Sequence, residues 1–251
     1  MTRASDDEQI VFTSDRGKCA RVAVVMPLFN YAHLVTASLD SVATQTTESV
    51  ELIVVNDAST DTSRSVALEW LKRHSARFYR TVLLSCDVNR GLAASRNAGV
   101  RCARAPLFFP LDADNLLYPQ CLSRLEEALE HSEASLAYPI LERFGVERGV
   151  MGAQVWDPDR LARMNYIDAM ALIRVEAWSE VGGYTSMRGW EDYDLWCKFV
   201  EAGRYGIQVA NILGRYRVHH TSMLRTVTNV TGVQSALRKE MRRRHPWLTL
   251  A

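Results

Sequence analysis

The stretch VELIVVNDASTDTSRSVALEWLKRHS, residues 50–75, decides the class of fold. Its first six residues are mostly apolar and β-branched, with no polar alternation. A strand of that kind is covered on both faces, as in a parallel sheet. The run stops at Asn56 and Asp57, and a polar segment leads to Asp61, an N-cap candidate for the helical pattern of residues 61–75. Working outward, RVAVVMP (21–27) is a second such run, stopped by Pro27. Between the two, Leu34, Val35, Leu39 and Val42 recur at helical spacing. TVLLSC (81–86) predicts another strand, NRGLAASRNAGVRCARA a loop leading into a helix, and PLFFPLDAD a further strand. YPQCLSRLEEALEHS predicts a helix with Pro119 near its first turn.

Strands alternating with helices in this way make βαβ units, and hence a mostly parallel sheet with helices on both faces. Ligands on such sheets collect at the carboxyl ends of the strands, where Asn56, Asp57, Asp112 and Asp114 fall. Further on, ASLAYPILERFG predicts a strand and WDPDRLARMN a short helix capped by Asp157. IDAMALIRVEAWSEVGGY predicts a strand, a short helix and a glycine turn. GWEDYDLWCKFVEAG predicts a helix closed by Gly203, and YGIQVANILGRYRVHHTSM a hairpin. GVQSALRKEMRRRHPWLTL predicts a basic helix ended by Pro246. Residues 1–20 carry no pattern and are expected to be a loose lead-in. No linker or internal repeat divides the chain.

Composition excludes several function classes. Of 251 residues 47% are hydrophobic and 24% charged, an ordinary globular balance. A net charge of +1 gives no global field favouring nucleic acid. The five cysteines are scattered without a C-x-x-C pair, which indicates reduced thiols rather than a zinc site or a disulfide framework. No apolar run reaches the length of a membrane span, and the first residues lack a signal-like apolar stretch, so a cytoplasmic location is expected.

Five constellations carry chemistry, and each has two readings. Asp112 and Asp114, two apart on an extended chain, point to one side and either clamp a hard cation or cap a polar turn. Asp57 either binds a base or ribose or caps a nearby helix. Arg96 either reaches a diphosphate or faces solvent. Glu191, Asp192 and Asp194, flanked by Trp190 and Trp196, are either a general base beside an aromatic sugar platform or an acidic helix start. His219 and His220, facing opposite ways on a strand, allow at most one ligand to any site.

The order of these segments is more informative than any one of them. VVMPLFNYAHLVTASLDSVATQT, ELIVVNDASTD, NRGLAASRNAGV, FFPLDADN, VGGY…GWEDYDLW and YRVHHTSM together resemble the family 2 glycosyltransferases over about residues 21–225. The resemblance implies the GT-A fold: α/β, a Rossmann-like, mostly parallel central sheet flanked by helices, with a smaller antiparallel acceptor-side part. It implies a nucleotide-binding half over 21–115, an acceptor half over 116–225 and a basic C-terminal helix over 226–251. It implies an inverting transfer from a nucleotide-sugar donor, commonly a UDP-sugar, to a carbohydrate or other hydroxyl acceptor, with Mn²⁺ or Mg²⁺.

Residue by residue, Pro27, Phe29 and Asn30 would rim the nucleotide pocket and Asp57 would bind the base. Arg96 would lie near the nucleotide. Asp112 would contact ribose and metal, while Asp114 and His219 would ligate the metal. Asp192 would be the catalytic base, with Trp190 and Glu191 shaping the acceptor site. Where the family often has a further acid, this sequence has Asn115. The Q-x-x-R-W stretch and membrane helices of processive synthases are absent from the sequence. A nucleotidyltransferase would need a glycine-rich signature near the first strand, and VVMPLFN has none. A non-catalytic carbohydrate- or nucleotide-binding relative should have lost part of the acid set. The basic run RKEMRRRH leaves peripheral contact with an anionic membrane open.

Overall fold

The computed structural model describes residues 8–220 and 232–250. In chain order the elements are β1 (Glu8–Asp15), β2 (Val22–Leu28), α1 (Val35–Ala43), β3 (Val50–Asp57), α2 (Ser63–His74), β4 (Arg80–Cys86), α3 (Leu92–Cys102) and β5 (Leu107–Pro110). They continue with β6 (Leu116–Leu117), α4 (Cys121–Glu130), β7 (Leu136–Gly145), β8 (Gly149–Met151) and α5 (Pro158–Leu161). The last are β9 (Leu172–Arg174), α6 (Val175–Glu180), α7 (Glu191–Glu201), β10 (Gly206–Val218) and α8 (Val233–Arg244).

The strands form one mixed sheet in the order β1-β4-β3-β2-β5-β9-β7-β10-β6, with β8 beside β7. β4, β3, β2 and β5 are mutually parallel, as expected for βαβ units. Their side chains alternate between two cores: Val22, Val24 and Met26 face the layer of α1, α2 and α4, while Ala23 and Val25 face α3 and α7. Met241, Leu248 and Leu250 join the second layer, so the C-terminal segment is part of the body. Gly99 lets α3 lie flush on the sheet, since a Cβ there would sit 2.3 Å from Val25 Cγ1. Among the described residues no helix is long and apolar enough to cross a membrane.

Two expectations are corrected. Residues 8–15 are not loose: β1 pairs antiparallel with β4 and covers its edge. Only Glu8 of its residues is buried, so the hydrophobic pattern that betrays a buried strand is missing. The expected hairpin over 205–223 is instead the single strand β10, parallel to β7 and bulged on either side of Ile212. Gly214 serves close approach, because a Cβ would come within 2.9 Å of Leu141 Cδ2. The expected boundary between 225 and 226 lies outside the described residues.

Candidate active site

The carboxyl ends of β2, β3 and β5 open on one side of the sheet, and backbone conformation there is unusual. Asn30 and Ala58, just past β2 and β3, have φ of 58° and 55°, and Trp190, just before α7, has φ of 62°. Left-handed backbone at non-glycine residues costs free energy and collects at functional sites. Asn30 Oδ1 accepts from the Thr60 amide at 2.8 Å, tying the exit of β2 to that of β3. Pro27 is buried within β2, and Phe29 is exposed at 42%. Asp57 is buried, and its two oxygens accept from the amides of Arg90 and Gly91, both at 2.8 Å. It therefore fixes the loop that enters α3, rather than capping the helix that follows β3.

The Asp112–Asn115 turn is held from both sides. Ser38 on α1 donates to the Ala113 carbonyl at 2.8 Å, and Arg217 on β10 donates its amide to Asn115 Oδ1 at 2.8 Å and its Nε to the Asp114 carbonyl at 2.9 Å. Asn115 is thus a buried anchor, for which an uncharged acceptor suffices. Just past β10, His219 Nε2 lies 2.9 Å from Asp114 Oδ2. Burial, then the neighbouring Asp112 charge, push the Asp114 carboxyl above its ordinary range.

Arg96 joins this turn to α7. It is 2% exposed, donating Nη2 to Asp112 and Nη1 to Glu191, each at 2.8 Å. Burial opposes its charge, but Asp112 and Glu191 outweigh it and hold the guanidinium above its ordinary pKa. The solvent-facing reading of Arg96 is therefore wrong. Glu191, expected to shape the acceptor site, is itself buried, and its Oε1 accepts from Arg96. Asp192 is partly exposed, its Oδ2 accepting from Asn165 Nδ2 at 3.1 Å and its Oδ1 from the Tyr193 amide at 2.8 Å. Burial and then Asp168 push its carboxyl up to about 6. Asp194, the third acid of the cluster, points away to Lys198, Arg244 and His245.

Sequence reasoning missed three residues of this site. Tyr31 lies against His219, ring centroids 6.0 Å apart, and burial and then Asp114 and Asp112 raise its pKa. Asp168 is pushed up to about 7 by burial, with Asp112 and Asp114 adding to the shift. Tyr216 on β10 is raised by burial and by Asp168, Asp112, Asp114 and Asp192. Tyr31 adjoins the 27–30 rim, a signal within reach. Asp168 and Tyr216 reach the site only through folding, and their sequence neighbourhoods carry no acid at a telling spacing.

Among the described residues no three His, Cys, Asp or Glu side chains are already gathered as a metal cage. The donor set nonetheless suits a hard divalent ion: Asp114 and His219 touch, and Asp114 and Asp112 repel each other in a way that a cation relieves.

Comparison with known proteins gives the family and the fold. The family described as Glycosyl transferase family 2 matches residues 23–189. EpsE of Bacillus subtilis (strain 168) is 27% identical over 205 residues, covering 78% of this chain and 73% of that protein. S. aureus TarS 1–349, solved in complex with UDP-GlcNAc, superposes with a TM-score of 0.74 at 14% identity, over 89% of this chain and 65% of that one. The mannosyltransferase PcManGT of Pyrobaculum calidifontis, solved with GDP-Man and Mn²⁺, gives 0.66 at 20% identity, over 83% of this chain and 60% of that one. The two structures establish the GT-A fold, and this chain spans less than two thirds of each.

Proposed function

The chain belongs to glycosyl transferase family 2, and on that premise we propose that it is an inverting transferase moving a sugar from a nucleotide-sugar donor, a UDP-sugar by preference, to an acceptor hydroxyl. The observation that carries this reading is the buried Arg96, which bridges Asp112 of the D-x-D turn and Glu191 at the start of α7 and so brings the Asp114 turn and Asp192 to one site. A carboxylate with a pKa near 6 is ionised at neutral pH yet basic enough to accept a proton in a transition state.

Pro27, Phe29, Asn30 and Asp57 rim the base and Asp112 meets the ribose. Asp112, Asp114 and His219 would hold Mn²⁺ or Mg²⁺, which would supply positive charge against the leaving diphosphate. Asp192 takes the proton of the acceptor hydroxyl. The hydroxyl oxygen bonds to the anomeric carbon as the bond to the phosphate oxygen breaks on the opposite face, and the nucleoside diphosphate leaves with configuration inverted. Trp190 offers a ring to the acceptor, and Glu191 acts through Arg96. Exposed Lys239 and Arg242 on α8 provide basic surface toward anionic lipid.

The test is nucleoside diphosphate release from a panel of sugar nucleotides with Mn²⁺, comparing wild type with Asp192→Asn. The variant should lose roughly 10²–10⁴-fold in turnover, with donor affinity within about twofold of wild type. The wild-type rate should rise through about pH 6 as Asp192 ionises. Undiminished turnover by the variant would remove Asp192 from the base role.

A further inference from the structure

Asp194 belongs to the acidic start of α7, yet the site above does not use it. It is fully buried. Its Oδ1 accepts from Arg244 Nε at 2.6 Å and lies 3.1 Å from His245 Nε2, while Lys198 Nζ stands 3.0 Å from Oδ2. Arg244 Nη2 and Lys198 Nζ also donate to Thr185 Oγ1, at 2.9 and 2.7 Å, and Lys198 to the Gly183 carbonyl at 2.8 Å. One knot of charge thus ties three segments: the first turn of α7, the 183–185 turn ahead of Trp190, and the end of α8. Between Gly183 and Thr185, Tyr184 is clasped by Asn97 of α3 through two hydrogen bonds, and its ring faces Arg96 at 5.6 Å. The knot therefore backs the same wall that carries Asp192 and Arg96.

His245 is the member that can change state near neutral pH. It is 2% exposed, with Nε2 toward Asp194 and Nδ1 2.8 Å from Glu201 Oε1. An ionised carboxylate only accepts, so both ring nitrogens must donate, and that requires the imidazolium. A neutral ring has one N–H and would turn its other lone pair against a carboxylate. Burial disfavours the charge, but Asp194 and Glu201 outweigh it and raise the pKa above its ordinary value. The other groups around it are Arg244 and Lys198, bound to the same Asp194, and Trp247, whose Nε1 donates to the same Glu201 oxygen at 2.9 Å.

We propose that protonated His245, together with Arg244, is a positioning device for the catalytic base: the end of α8 holds the first turn of α7, and deprotonating His245 loosens it. This rests on Asp192 being the base. It follows that the rate–pH profile is bell-shaped. Its acid limb belongs to Asp192, and its alkaline limb to a histidine that touches no substrate.

The experiment uses the full chain, with UDP-glucose, UDP-GlcNAc and GDP-mannose as probes in Mn²⁺. His245→Gln should lower kcat by about ten- to a hundredfold at pH 7, leave donor KM within about twofold, and lose the alkaline limb. Glu201→Gln, which removes one flanking carboxylate, should retain kcat near pH 6 and move the alkaline limb to lower pH without moving the acid limb. Wild-type kcat and an intact alkaline limb in His245→Gln, or an unmoved limb in Glu201→Gln, would overturn the proposal. If the wild type turns over no donor, the functional reading fails by itself, and two other readouts judge the brace. NMR titration should place His245 above its ordinary midpoint. Hydrogen exchange at amides 191–194, corrected for intrinsic rates, should quicken in His245→Gln. An ordinary midpoint or unchanged exchange would overturn it.

Discussion

Asp114 is the most demanding residue of the site. Its carboxylate is nearly buried, stands beside Asp112, and meets His219 and the Tyr31 hydroxyl. That arrangement is costly without a cation and useful with one. Asp114→Ala should therefore abolish Mn²⁺-dependent donor binding while leaving metal-free nucleotide binding nearly unchanged, as read by calorimetry with and without Mn²⁺. Equal Mn²⁺ enhancement in variant and wild type would remove Asp114 from the metal set. At this scale the sequence was legible for position: Asp57 does end β3, Asp112 and Asp114 do follow β5, and Asp192 does lie in the first turn of α7. It was opaque where burial decides: an arginine shared by two carboxylates reads the same on paper as one in water, and the Asp192 and Asp194 carboxylates, two residues apart, serve different faces of α7.

At the scale of elements, β2 to β5 were readable because each carries a continuous apolar stretch. β1 hid because an edge strand buries little, and β10 because a bulge resembles a turn. The helix that matters most to the site is α3, which carries Arg96 and Asn97 and rests on the sheet through Gly99. Gly99→Ala would drive a methyl into Val25 and also approach Val55 Cγ2 at 3.3 Å. The expected cost is about 1–3 kcal/mol in urea unfolding, with a larger fractional loss of activity than of folded protein because Arg96 is displaced. Pairing it with Val25→Ala should recover part of both. A fully active Gly99→Ala protein of unchanged stability would mean that α3 does not depend on this contact.

For the whole molecule, the site is a stability cost. Asp168 has a folded pKa of about 7 against an unfolded value of 3.8. Between those values the unfolded chain releases its proton first, so stability falls as pH rises from about 4 to about 7 and is flat above. Asp168→Asn keeps an acceptor for the Met170 amide but never ionises. It should be roughly 1–3 kcal/mol more stable than wild type at pH 8, with the difference vanishing by pH 3. Denaturant unfolding at the two pH values measures this, and a constant offset would exclude ionisation as its source. Asp194 works in the opposite sense: burial opposes its charge, but His245, Arg244 and Lys198 hold its pKa well below 3.8, so its contribution is present above that value and lost in strong acid.

The Arg96 bridge gives the two sides of the site a common account of charge. Its two terminal nitrogens are committed in opposite directions, to Asp112 of the D-x-D turn and to Glu191 beside Asp192. A donor that draws Asp112 away leaves more of the guanidinium's field to Glu191 and Asp192, both of which it favours in the ionised form. By thermodynamic reciprocity, whatever donor binding does to the proton affinity of the base, the ionisation of the base does to donor affinity. If Asp112 meets the donor and Asp192 is the base, as proposed, the two substrates become heterotropic partners through one buried side chain, and donor affinity measured without acceptor should carry a pH dependence that originates across the cleft.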